Sequence, residues 1–156
     1  MPQHSAGVLL YRVRGGHPQV LLVHPGGPYW ASRDLGAWSI PKGEYGADEQ
    51  PLTAALREFA EETGQRLIPR VDQVIDLGTV RQRGGKVATA FGIQGDLDVD
   101  ALVSNTVQMM WPPRSGRLVE FPEVDRADWF APVEARQRIN AAQVTFVDRL
   151  LDILTA

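Results

Sequence analysis

Gly43-Glu44-Tyr45-Gly46-Ala47-Asp48-Glu49-Gln50-Pro51-Leu52-Thr53-Ala54-Ala55-Leu56-Arg57-Glu58-Phe59-Ala60-Glu61-Glu62-Thr63-Gly64 is the stretch on which the rest of the sequence turns. Leu52, Leu56 and Phe59 recur at i, i+4 and i+7 with Ala55 beside them, which predicts a helix over residues 51–63 with one apolar face. Pro51 suits a first turn, where its missing N–H costs nothing, and Gly64 suits the position just past the end. Six acids and one base give residues 43–64 a net charge of −5, against −3 for the chain. The remainder therefore carries +2, so the acidity is local.

Glu58, Glu61 and Glu62 stand at i, i+3 and i+4 and share one helix face, where like charges repel. Arg57 can answer Glu61 one turn on, but it cannot neutralise three carboxylates. The cluster also falls in the last turn, where the helix dipole is negative. A solvated acidic face is the ordinary explanation for such a row. Its position and partial approach to the apolar stripe favour a bound hard cation, and carboxylate oxygens suit Mg²⁺ or Mn²⁺.

Outward from this segment the pattern is mainly β. Ser5 to Val13 and Gln19 to Val23 flank Gly15-Gly16-His17-Pro18 and predict a hairpin. Residues 24–37 read as a long loop, followed by a short strand-like segment, Trp38-Ser39-Ile40-Pro41. Val80 to Arg83 and Lys86 to Phe91 flank Gly84-Gly85, which predicts a second hairpin with a two-residue turn. Further strands are expected at Thr106 to Trp111 and Ala127 to Phe130. A C-terminal helix carries Phe146, Leu150 and Leu154 with Val147 and Leu151, and Asn140 to Gln143 has the spacing of a capping box. Strands interrupted by helices, without regular alternation, predict an α/β fold with a mixed sheet packed against helices.

The 156 residues, 44% of them apolar, fit a single domain over 1–156. The absence of cysteine excludes disulfides, thiolate zinc sites and a thiol nucleophile, and fits a reducing, cytoplasmic setting. No apolar run is long enough to span a bilayer, and Met1 to Ser5 lacks the basic stretch of a secretory signal. The mild charge argues against a nucleic-acid partner. Asp96, Asp98 and Asp100 begin like a calcium loop, but Ala101 stands where glycine is required and Val107 where the bidentate glutamate belongs. Gly26-Gly27 lacks the Gly-Lys-Ser/Thr of a phosphate loop.

Gly43, Glu49, Arg57-Glu58, Phe59, Glu61-Glu62 and Gly64 together match the spacing of the Nudix box, and the chain resembles the Nudix hydrolases. Gln65 departs from the box's final apolar position, with Leu67 two residues later, a difference expected to affect packing rather than chemistry. The resemblance implies an α/β/α sandwich with a mixed sheet between helices. It implies metal ligation by Glu58, Glu61, Glu62 and the backbone carbonyl of Lys42, one of the glutamates being a candidate base. Glu49 and Arg57 correspond to a supporting pair that orients carboxylates. An additional carboxylate from a later loop would be Glu120 or Glu123, and the sequence does not choose between them.

There is no Gly-x-Ser-x-Gly elbow and no His-Glu-x-x-His pair, so water is the expected nucleophile. The expected reaction is Mg²⁺- or Mn²⁺-dependent hydrolysis of a pyrophosphate bond in a nucleoside diphosphate linked to another group. Dinucleoside polyphosphates and diphosphoinositol polyphosphates are alternatives, and a non-catalytic nucleotide-sensing module is a third. Oligomeric state is open. On the substrate side, Lys42 precedes the box glycine and is weighted toward phosphate. Arg114 and Arg117 occupy a proline-stiffened loop, and Arg114 is the candidate there for a phosphate contact. Tyr29 and Trp30 are candidate walls for a base, whereas Trp38 reads as core. Arg81, Arg83 and Lys86 read as solvated charges beside a hairpin turn.

Overall fold

The computed structural model describes residues 3–156, so Met1 and Pro2 of the N-terminal reading lie outside the described residues. Among these residues eight strands and three α-helices follow in the order β1 (His4–Arg14), β2 (His17–Pro25), β3 (Lys42–Glu44), α1 (Pro51–Thr63), β4 (Val74–Arg81), β5 (Val87–Gln94), β6 (Thr106–Met110), β7 (Leu118–Pro122), β8 (Val124–Phe130), α2 (Pro132–Arg138) and α3 (Val144–Leu154).

The architecture follows from β1, which is buried without interruption from Ser5 to Tyr11. Alternate strand residues face opposite sides, and here both sides are covered. Ala6, Val8 and Leu10, with Leu21 and Val23 of β2, pack on Ala54, Ala55 and Phe59 of α1. Leu9 and Tyr11, with Val20 and Leu22, pack on Ala135 of α2 and Phe146, Val147 and Leu150 of α3. A strand buried on both faces reads as a continuous apolar run, as Val8-Leu9-Leu10 and Val20-Leu21-Leu22-Val23 do. The mixed sheet thus lies between helices, as expected.

Its order is β4-β5-β1-β2-β8, with β3 also on β1. β1 runs parallel to β5 along His4 to Tyr11. On its other edge it pairs with β3 at Ser5 to Gly7 and with β2 at Tyr11 to Arg14. β1 and β2 therefore diverge, and residues 38–44 enter the gap. Val8 N–H donates to the Pro41 carbonyl at 3.1 Å, and Val23 and Ser39 exchange backbone bonds at 2.8 and 2.9 Å. This wedge delivers the chain to Gly43 and α1.

Several local expectations change. Residues 38–41 form isolated bridges, Ser39 with Val23 and Trp38 with Ile139, rather than a strand. Asn140 does cap, accepting from Ala142 N–H at 3.0 Å. Gln143 does not complete a capping box, because its side chain turns inward and is fully buried. There its carboxamide oxygen accepts from Ile40 N–H at 3.0 Å and its amide donates to Ser39 Oγ at 3.1 Å. The Gly84-Gly85 turn is wider than two residues, closing with Gln82 N–H on the Lys86 carbonyl at 2.7 Å. Strand β7 occupies residues read as loop, and α2 was without a periodic signal in so short a segment. No helix among the described residues is long and apolar enough to cross a membrane.

Gln143→Leu keeps volume but leaves the buried Ile40 N–H without a partner. The expected loss is about 1–3 kcal/mol of unfolding free energy by urea titration, and an unchanged midpoint would show that the wedge is held by other contacts.

Candidate active site

Apolar packing of Ala55 and Phe59 against the sheet fixes the rotation of α1, and that rotation turns two of its acids inward. Glu58 and Glu62 are only 8% and 5% exposed, whereas Glu61 faces solvent. Gly43 makes the inward position possible, since a Cβ there would collide with the Glu58 carboxylate. The box glycine is thus a space requirement set by a buried acid. Helix α1 ends at Gly64, whose N–H donates to the Ala60 carbonyl at 2.8 Å.

Arg57 organises the outer part of the row. Its Nε and Nη2 donate to the two oxygens of Glu49, both at 2.9 Å, in a bidentate pair. Nη1 donates to Glu58 at 2.9 Å and to Glu61 at 3.2 Å. The hydrogen bonds from Arg57 hold the Glu49 carboxyl below its ordinary range, and the same contacts raise the Arg57 pKa. No such cation reaches Glu62. Burial, then the nearby Glu123 and Glu58 charges, push its carboxyl up to about 9, against an opposing pull from the Lys42 ammonium and backbone N–H. Burial and Glu61 also raise Glu58, although Arg57 opposes them. Burial lowers the Lys42 amine.

Glu123, rather than Glu120, stands with these groups. A cavity of about 190 Å³ is lined by Lys42, Glu62 and Glu123 together with Ser39, Ile40 and Pro25. Glu120 lies on β7 and accepts from Thr106 Oγ1 at 2.8 Å. Backbone bonds bring Glu123 here from far along the chain. Asn105 N–H donates to the Glu61 carbonyl at 2.8 Å, Glu123 N–H to the Asn105 carbonyl at 2.9 Å, and Gly26 N–H to the Glu123 carbonyl at 2.9 Å. Gly26 also passes so close to the Pro122 carbonyl that a Cβ would not fit. The signal for Glu123 in the sequence was only that it is an acid in a segment read as a later loop, which it shares with Glu120.

The remaining candidates are more dispersed. Tyr29 and Trp30 form an edge-to-face pair at 4.9 Å, with the Arg33 guanidinium 4.2 Å from the Tyr29 ring centre. They stand on the loop after β2, outside the lining of the Glu62 cavity. Arg114 is exposed at the tip of the β6–β7 hairpin with φ of 62°. Trp38 is core, and its Nε1 donates to Asp34 at 2.8 Å. His24, read as loop, is a fully buried residue of β2. Its Nε2 donates to the Arg33 carbonyl at 2.6 Å and its Nδ1 pairs with Asp125 at 2.8 Å, so it ties the aromatic loop to β8.

Among the described residues no three His, Cys, Asp or Glu side chains are placed as a group that could hold a metal ion. Mg²⁺ does not require one, because it usually keeps several waters and uses one or two carboxylates plus substrate phosphates. The donor set fits such an ion: hard oxygens, two of them buried without a full complement of positive charge. A cation would invert the local preference and favour ionised Glu58 and Glu62.

In chelator, the folded protein retains a proton on Glu62 that the unfolded chain releases. Raising pH from the ordinary carboxylate value of 4.5 toward about 9 therefore favours unfolding. Thermal melts should fall by several degrees across this window and flatten in Glu62→Gln; a wild-type melting temperature that rises with pH throughout would contradict the buried-acid assignment.

The NUDIX domain family matches residues 1–150. Among solved structures, a C. elegans Ap4A hydrolase in a binary complex superposes with a TM-score of 0.62 at 17% identity, over 98% of each chain. The NUDIX domain of Shewanella oneidensis NrtR, complexed with ADP ribose, gives 0.66 at 16% identity over 99% of this chain and 89% of that one. A mutT/nudix family protein from Listeria innocua gives 0.63 at 19% identity over 99% and 96%. At these identities the superpositions establish a shared fold. The family match spans the sheet, the carboxylate helix and the wedge that joins them, and the chain belongs to the Nudix family.

Proposed function

We propose that residues 1–156 act as one Mg²⁺- or Mn²⁺-dependent hydrolase that cleaves a phosphoanhydride bond in a nucleotide-like diphosphate. The observation that carries this reading is the pair of buried, undercompensated carboxylates, Glu58 and Glu62, set opposite Glu123. One or two of the carboxylates of Glu58, Glu61 and Glu62 would hold the ion, with the Lys42 backbone carbonyl as a further ligand and water and phosphate completing the set. When bound, the ion would lower the pKa of water and neutralise charge on the phosphate oxygens.

The chain's own groups have separate tasks. Arg57, clamped by Glu49, keeps Glu58 and Glu61 in a fixed orientation. Lys42 supplies positive charge to a phosphate at the wall of the cavity. Glu123 comes from a different part of the chain, outside the set gripped by Arg57, and takes the proton of the attacking water. The water oxygen bonds to phosphorus as the bridging P–O bond breaks, and the bridging oxygen leaves with the departing phosphate. Solved relatives described as an Ap4A hydrolase and as an ADP-ribose complex support a nucleotide-like substrate. A cytoplasmic protein acting on a small molecule, without nucleic acid or membrane, fits the same reading.

The test is a panel of nucleoside diphosphate derivatives, dinucleoside polyphosphates and diphosphoinositols assayed with Mg²⁺ and with chelator. Turnover should require the ion, and Glu61→Gln or Glu62→Gln should lower kcat by about a hundredfold or more. Glu123→Gln should lower kcat with little change in KM. Near-normal activity in Glu61→Gln would contradict the proposal, and tight nucleotide binding without turnover would favour a sensing module.

A further inference from the structure

Arg83 and Lys86 of the hairpin between β4 and β5 are exposed, as expected, and they also border a pocket. Gln82, Arg83 and Lys86 line a cavity of about 550 Å³ with Lys42 and Asn140. Lys42 also lines the cavity of Glu62 and Glu123, so the two cavities share this residue. We infer that this second cavity receives further phosphoryl groups of the substrate, beyond the scissile anhydride. The inference rests on the hydrolase reading of the neighbouring carboxylates and narrows it to a polyphosphorylated substrate class.

The lining explains why the ligand is an anion. It contains three cations and no carboxylate. Arg83 makes no ion pair with the described residues, and Lys86 has only a long contact of 3.9 Å to Glu44 with both side chains more than half exposed. A pair so exposed contributes little. Asn140 has its oxygen committed to Ala142 N–H, which leaves its NH₂ as a donor. The cavity thus offers cations and amide donors, the complement of phosphate oxygens.

The same lining explains why the ligand is phosphate rather than base. No aromatic or large apolar side chain borders the cavity, and a nucleobase is ordinarily held by stacking on one. Its volume lies within the range of ordinary ligand sites and exceeds what a single phosphate needs. A substrate lying across Lys42 would place its scissile bond among Glu58, Glu62 and Glu123 and its remaining phosphates beside Arg83 and Lys86. Those phosphates can belong to a linear polyphosphate chain or to a phosphorylated inositol ring.

The experiment compares wild type with Arg83→Gln/Lys86→Gln on dinucleotides bearing two to five bridging phosphates, and on diphosphoinositols of increasing ring phosphorylation. On the most highly phosphorylated substrates the double variant should raise KM about tenfold, the scale of one lost charge-assisted contact. The two-phosphate compound should be affected severalfold less, and kcat should be retained in both cases. The series in which this gradient appears identifies chain or ring as the source. An equal effect at every phosphate number, or none, overturns the inference. Calorimetry with inorganic tripolyphosphate in chelator reads the cavity independently of turnover. Binding by wild type and its loss in the double variant support the inference, whereas equal binding by both overturns it. If no anhydride in the panel is hydrolysed but that loss is seen, the hydrolase reading fails and the anion site stands.

Discussion

Two carboxylates buried side by side, Glu58 and Glu62, are the constraint around which the rest of this structure is arranged. Burial disfavours an ionised acid and a second acid nearby disfavours it further. The fold accepts both penalties because the two acids share the face of α1 whose apolar residues must pack on the sheet. Ala54, Ala55 and Phe59 fix the helix, and the helix then has no freedom to rotate its acids into water. What surrounds the acids reads as accommodation: a glycine where Glu58 needs space, an arginine shared among Glu49, Glu58 and Glu61, and a half-buried lysine beside Glu62.

That compensation is uneven, and the unevenness is chemically useful. Arg57 donates hydrogen bonds to buried Glu58 and exposed Glu61, while Glu62 faces Lys42 and Glu123 across a small cavity. Stability alone would be served as well by an apolar side chain at such a position. An acid retained there, opposite another acid, marks a place where added positive charge is stabilising. The wedge of residues 38–44 borders this place, with Ser39, Ile40 and Lys42 lining the cavity and Gly43 lying against Glu58.

Much of this was legible in the sequence because it rests on periodicity. The two-sided apolar run of β1 and β2, the stripe of α1 and the stripe of α3 each repeat often enough to identify their element. Carboxylate spacing in the last turn of α1 marked the candidate site. Contacts between distant, short segments were not legible. Glu120 and Glu123 look alike in sequence and are separated only by the backbone bonds that Asn105 and Gly26 make to Glu123. Gln143 has the spacing of a cap, yet a stronger demand, the buried Ile40 N–H, takes its side chain inward. The cations of the β4–β5 hairpin gain significance only when the fold sets them beside Lys42 and Asn140 around one open cavity. His24 looked like loop because Pro25 and two glycines follow it, and nothing local announces its ties to Arg33 and Asp125.

The central claim is that the inward face of α1 holds a divalent cation. The most direct measurement is Mn²⁺ binding followed by electron paramagnetic resonance, with wild type, Glu62→Gln and the surface control Asp152→Asn titrated in parallel. Specific Mn²⁺ binding that Mg²⁺ displaces is expected, weakened at least about tenfold in Glu62→Gln and preserved in the control. Absence of specific binding, or binding that Glu62→Gln leaves unchanged, would contradict it.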